Sequence, residues 1–182
     1  MRKILFLDLD GVLNPRLWGR KPSADKYGCA FDSKCVANLE RIIAETCADI
    51  VISSSWKCMG LAELQNMWKD RKLPGNVVDI TPDYMSDEIL LNTDLRDIDP
   101  LYNRGCEIKG WLMRHKDEEI HYVILDDMDD VLPEQQPHFV WVDPNVGITE
   151  GNVIQAIMIL NHLENEIVRE ELPPVLPQTL GQ

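Results

Sequence analysis

The sequence predicts an α/β fold: a Rossmann-like parallel sheet of about five strands, helices on both faces, and a minimal cap or none. Three observations carry that reading. Short, unbroken apolar runs such as "ILFL", "DIVI" and "YVIL" alternate with segments of helical periodicity, as a parallel sheet with crossover helices requires. The runs show no polar alternation, so both of their faces must be covered. Several also end in carboxylates or hydroxyls, at the carboxyl edge where such sheets collect their ligands.

Residues 3–8 form the first strand, ending at Asp8 and Asp10 with Gly11 immediately after. Residues 14–31, rich in Pro, Gly and basic side chains, read as a flap. Asp32 is placed to cap a helix over 33–46, with Val36, Leu39, Ile42 and Ile43 turned inward. "DIVISSS" (49–55) is a second strand running into a hydroxyl-rich loop. A helix near 60–71 carries Leu61, Leu64 and Trp68 in register, and Pro74 and Gly75 close it before the short strand 76–80. Residues 81–104 are polar and read as an excursion over the surface. A helix over 105–116 presents Ile108, Trp111 and Leu112 to the core. "IHYVILDD" (120–127) and "HFVWV" (138–142) are the last strands. Thr149 caps a final helix with Val153, Ile154, Ile157 and Leu160 inward, and 171–182 is expected to be a disordered tail after a single domain of residues 1–170.

The chain has 182 residues, a hydrophobic share of 45% and no apolar run near the roughly 20 residues of a membrane span. Its apolar N-terminal run is interrupted by Asp8, unlike a secretory leader. Five cysteines without a C-x-x-C pair read as reduced thiols of a cytoplasmic protein, Cys58 and Cys106 among them as incidental or buried groups, and the four histidines lack zinc-ligand spacing. A net charge of −13 argues against broad, non-specific binding to nucleic acid or to an anionic membrane. The flap is the exception. Arg16, Arg20, Lys21 and Lys26 stand there against Asp25 alone.

Two carboxylates at the end of a buried strand repel each other and resist leaving water, so a cation or a reaction normally explains them. Folding brings further groups to the same edge: Ser53 from the second strand, Asp126 and Asp127 from the fourth. Taken singly, each has a plainer explanation: a solvated strand end, an acid-rich turn in "DDMDD", hydroxyls bonding nearby backbone in Ser53–Ser55. Together they form an oxygen-only donor set, which favours Mg²⁺ over zinc, beside a hydroxyl suited to phosphate.

At these residues the chain resembles the haloacid dehalogenase-like (HAD) hydrolase superfamily. "FLDLDGVLN" is similar to its first motif, "VISSS" to its second and "VILDD" to its fourth, in the family's order. "VISSSWK", "RGCEIKGWL", "YVILDD" and "GIT" further resemble the HAD domains associated with multifunctional RNA-repair proteins. The resemblance implies Asp8 as nucleophile and Asp10 as proton donor and acceptor. It implies Mg²⁺ held by Asp8, the Asp10 carbonyl, Asp126 and Asp127, and phosphoryl oxygens bound by Ser53 with Ser54 and Ser55. The third-motif cation has three candidates: Arg104 first, then Lys109, then Lys57, which could instead grip substrate phosphate.

The implied activity is Mg²⁺-dependent hydrolysis of a phosphomonoester, on a phosphorylated small molecule, a nucleotide or a nucleic-acid end. Arg16, Arg20 and Lys21 could steer that phosphate, and Trp18 or Tyr27 could stack on a base or merely pack on the core. Two other classes stay open: a catalytically silent phosphate- or partner-binding module on the same fold, and a receiver-like phosphoacceptor domain. The second fits poorly, because "NVVDI" followed by Thr-Pro is an unsuitable acceptor strand.

Overall fold

The structure is a computed structural model and describes residues 1–16 and 23–162. The expected flap residues Trp18, Arg20 and Lys21, and the expected tail 171–182, lie outside the described residues. In chain order the elements are β1 (Arg2–Leu7), β2 (Ala24–Asp25), β3 (Gly28–Cys29), α1 (Ser33–Thr46), β4 (Asp49–Ile52), α2 (Leu61–Asp70) and β5 (Val77–Ile80). They continue with α3 (Asp87–Leu90), α4 (Asn103–Arg114), β6 (Ile120–Asp126), β7 (Phe139–Trp141) and α5 (Glu150–Asn161). Single 3₁₀ turns occupy Ser55–Met59, Pro100–Tyr102 and Pro133–His138.

Strands β5-β4-β1-β6-β7 form one sheet, every neighbouring pair parallel, and β2 and β3 form a separate antiparallel hairpin. The chain builds outward from β1 through β4 and β5, then crosses to the other side for β6 and β7. The switch point therefore falls at β1, where α/β sheets open a crevice.

Both faces of β1 are buried, which explains its unbroken apolar run. Leu5 and Leu7 face α1, α2 and α5, packing with Leu39, Ile42, Leu64, Met67, Val153 and Leu160. Ile4 and Phe6 face α4, packing with Ile108 and Trp111. Trp111 is fully buried with its ring edge-on to Phe6, and its indole N–H donates to Asp79 Oδ2 at 2.7 Å. The caps are the expected ones: Asp32 Oδ1 accepts from the backbone N–H of Lys34 and Cys35, and the Thr149 hydroxyl from that of Asn152.

Strand β4 ends at Ile52 and runs into the expected hydroxyl-rich loop, with a 3₁₀ turn from Ser55. Two details differ from the sequence reading. In α5, Ile154 is 45% exposed and Ala156 faces inward, because Val153, Ala156, Ile157 and Leu160 follow the helical repeat more closely. The 81–104 segment carries a core of its own. Ile89 and Leu95 are buried against Cys106 of α4, with Tyr84 and Ile98 alongside, so its apolar residues are spent locally between the polar ones. Among the described residues no helix is long and apolar enough to cross a membrane.

Candidate active site

Register alone brings the first three site residues into one row. Leu7 pairs with Ile52 on one side and with Leu125 on the other, so the next residues along the three strands are Asp8, Ser53 and Asp126. Backbone bonds continue the ladder one step further: Asp8 N–H donates to Leu125 O and Ser53 N–H to Leu7 O, both at 3.0 Å. Asp8 is 6% exposed and Asp126 and Ser53 1%, so these polar groups sit at the floor of the crevice.

Arg104 bridges the acids. Its Nε donates to Asp126 Oδ2 at 2.9 Å, while its Nη2 lies 3.6 Å from Asp8 Oδ1 and its Nη1 3.5 Å from Glu107 Oε2. It reaches them from the first turn of α4, which is fastened to the loop after β6. Gly105 N–H donates to Asp130 O, Gln135 Nε2 donates to Gly105 O, and Asp130 Oδ2 accepts from Arg104 N–H at 3.3 Å. A Cβ at Gly105 would lie 2.8 Å from the Gln135 side-chain oxygen, so this docking requires glycine. Burial pushes the Asp8 carboxyl up to about 6 against the opposing pull of Arg104, and it pushes Asp126 upward for the same reason. One guanidinium thus leaves these carboxylates short of positive charge.

Asp127 completes the cluster. Asp8, Asp126 and Asp127 each offer a carboxylate oxygen, all within 4.8 Å of one another, with no His or Cys among them. A hard divalent cation such as Mg²⁺ fits this set: oxygen-only, buried and under-neutralised. Gly11 makes room for the third member. Its φ is +79°, and a Cβ there would stand 2.6 Å from Asp127 Cγ. Gly11→Ala is expected to destabilise the fold by roughly 1–3 kcal/mol, through left-handed backbone and the displaced carboxylate. It should also shrink any Mg²⁺-induced rise in melting temperature, as differential scanning fluorimetry with and without the ion would measure.

The other expected residues fall into two groups. Ser54 is fully buried, its hydroxyl favouring the ionised form of Asp8 against the effect of burial, and the Ser53 hydroxyl is buried with no hydrogen-bond partner. Ser55 is exposed on an adjoining cleft of about 400 Å³, lined also by Lys57, Asn103, Arg104 and Met128. Arg16 Nη2 lies 3.5 Å from Asp127 Oδ2, at the rim. Asp10 is exposed, and its carboxylate accepts from Trp56 Nε1 at 2.8 Å and from Asn14 Nδ2 at 3.2 Å.

The two alternative cations are engaged elsewhere. Lys57 Nζ meets Glu107 Oε1 at 2.6 Å and Pro82 O at 3.0 Å, in a setting whose burial lowers the ammonium's affinity for its proton. Lys109 points outward to Glu134 at 3.2 Å. Of the three candidates, only Arg104 contacts both Asp8 and Asp126. Tyr27, offered for stacking on a base, has its hydroxyl bonded to Asp70 Oδ2 and its ring beside Arg71 and Lys26.

Sequence reasoning missed Glu107, Asp130 and Trp56. Glu107 had a readable signal: a charge between Cys106 and Ile108 on an inward helical face, three residues after Arg104. Trp56 had none beyond its place after the serines.

No curated protein and no solved structure matches the chain. A family model does match, described as the HAD domain in Swiss Army Knife RNA repair proteins, over residues 4–153. That span runs from β1 through the start of α5 and contains every acid, hydroxyl and cation of the crevice. The chain therefore belongs to the family of HAD domains found in Swiss Army Knife RNA repair proteins.

Proposed function

We propose that the protein is a Mg²⁺-dependent phosphohydrolase of the cytoplasm that cleaves a phosphomonoester, a nucleotide or nucleic-acid end among its candidate substrates, through an aspartyl phosphate on Asp8. Family membership supports a phosphohydrolase-type function in general. The observation that carries the finer reading is the buried, unpartnered Ser53 hydroxyl beside Asp8. A buried hydroxyl without a partner costs about 1–3 kcal/mol, and a phosphoryl oxygen placed between Ser53 and Arg104 would remove that cost.

In this mechanism the Asp8 carboxylate attacks phosphorus and the leaving oxygen takes a proton from Asp10. Asp10 then accepts a proton from the water that hydrolyses the aspartyl phosphate. Arg104 and Ser53 hold the transferring oxygens where negative charge develops. Bound by Asp8, Asp126 and Asp127, Mg²⁺ would supply neutralising charge and Lewis acidity to the phosphoryl group. The open cleft of about 400 Å³ next to Arg104 has room for the organic part of a phosphomonoester, and the family's tie to RNA repair proteins supports a nucleotide or nucleic-acid end among the candidates.

A second reading has one observation in its favour. Arg104 already pairs Asp8 and Asp126, so the cluster has a partner without a metal, as a catalytically silent phosphate-binding module would need. Phosphate release from p-nitrophenyl phosphate and from 3′- and 5′-phosphorylated oligonucleotides, with Mg²⁺ and with chelator, separates the two. Release that depends on Mg²⁺ is the expected result. No release from any substrate with Mg²⁺ would favour the silent module.

A further inference from the structure

Asp10 stands out among the crevice acids because it is exposed and yet held at both oxygens. Trp56 Nε1 donates to Oδ2 at 2.8 Å and Asn14 Nδ2 donates to Oδ1 at 3.2 Å. Exposed carboxylates ordinarily turn freely, so two donors on one such group amount to a fixed orientation. Trp56 is itself braced. Its ring lies 5.8 Å from that of Phe31, and the Arg71 guanidinium carbon is 5.7 Å from its centre.

Arg71, just past α2, is only 8% exposed. It grips Asp25 of β2 with two bonds of 2.8 Å while its guanidinium lies over Phe31 at 4.6 Å. Bidentate pairing and ring contact together are something lysine cannot reproduce. A continuous chain of contacts thus runs from the β2–β3 hairpin through Arg71 and Trp56 to Asp10.

We infer that Trp56 is a positioning residue for Asp10, and that the hairpin, clamped by Arg71, fixes Trp56 in place. The inference rests on the phosphohydrolase reading above. In the step concerned, a bond forms between Asp8 and phosphorus, the bond from phosphorus to the leaving oxygen breaks, and the Asp10 proton passes to that oxygen. Orientation of Asp10 therefore matters most when the leaving group is a strongly basic alkoxide, and least when it is a weakly basic nitrophenolate.

The test compares kcat/KM, which covers steps up to departure of the leaving group, for an alkyl phosphomonoester and for p-nitrophenyl phosphate. Trp56→Phe keeps an aromatic ring but removes the N–H. It is expected to lower the alkyl-to-aryl ratio on the order of tenfold, a fraction of the full range of general-acid catalysis. Arg71→Lys should move the ratio in the same direction by less, and it carries the test should Trp56→Phe fail to fold. A ratio unchanged in the folded variants overturns the inference, even if both rates fall, because a purely structural role lowers both alike.

Asp10→Asn separates the two levels of failure. If it too leaves the ratio unchanged, the proton-donor role of Asp10 falls, and with it the mechanism beneath the inference. A readout free of turnover accompanies these. In the indole region of a ¹H–¹⁵N spectrum, the signal missing from Trp56→Phe should shift in Asp10→Ala. A signal that stays in place overturns the Trp56–Asp10 link directly.

Discussion

Asp8→Asn is expected to reduce turnover by a factor on the order of 10⁴ or more while leaving a folded protein. The amide has nearly the shape of the carboxylate but cannot form an acyl phosphate. The fold should tolerate it because ionised Asp8 is already costly: burial raises its pKa despite Arg104. Neutralising it removes a desolvation penalty and forfeits one long 3.6 Å ionic contact, two effects of opposite sign. The metal set loses one of its three carboxylates, so the Mg²⁺-dependent rise in melting temperature should shrink as turnover disappears. Steady-state rates and thermal melts on the same preparation measure both. Rates within tenfold of wild type would remove Asp8 from the nucleophile's role.

Arg104→Met is expected to cost stability as well as activity. Its side chain is 15% exposed and touches Asp8, Asp126 and Glu107, all three of them buried. Removing one partner of a buried ionic network strands the remaining charges, at about 3–5 kcal/mol. For a chain of this size each kcal/mol is worth roughly 2–4 °C, so the melting temperature should fall by roughly 6–20 °C. Added Mg²⁺ should restore part of that loss in the variant, since it supplies positive charge to the same oxygens. Activity should drop by roughly 10²–10³ beyond any effect of unfolding, the usual cost of losing a group that stabilises developing charge. A melting temperature within 2 °C of wild type would show that Arg104 does not balance these acids.

Much of this site was legible before folding because its parts are marked locally. A strand buried on both faces leaves a plain apolar run, and a carboxylate at its end is conspicuous against it. Ordinary parallel register then does the rest, carrying Asp8, Ser53 and Asp126 into one row. The order of helices was legible for a similar reason, since Asp32 and Thr149 announce their caps.

What could not be read depends on side chains meeting across long stretches of sequence. Nothing local tells that Arg71 grips Asp25, or that Trp56 reaches back to Asp10, each 46 residues away. The choice among Arg104, Lys109 and Lys57 was likewise geometric. Helical rotation turns Lys109 out to Glu134, while Glu107 captures Lys57. In α5 the difference between Ile154 and Ala156 is one of helical angle, and hydrophobicity alone favours the wrong residue.

The claim on which all of this turns is that phosphorus becomes bonded to Asp8. Asp10→Asn should lack the base that helps water attack, so the aspartyl phosphate should outlive its formation. Brief reaction of that variant with p-nitrophenyl phosphate and Mg²⁺, followed by borohydride reduction and peptide mass spectrometry, reads the bond itself. Conversion of residue 8, and only residue 8, to homoserine is the expected result. Release of nitrophenol with Asp8 left unaltered would contradict it.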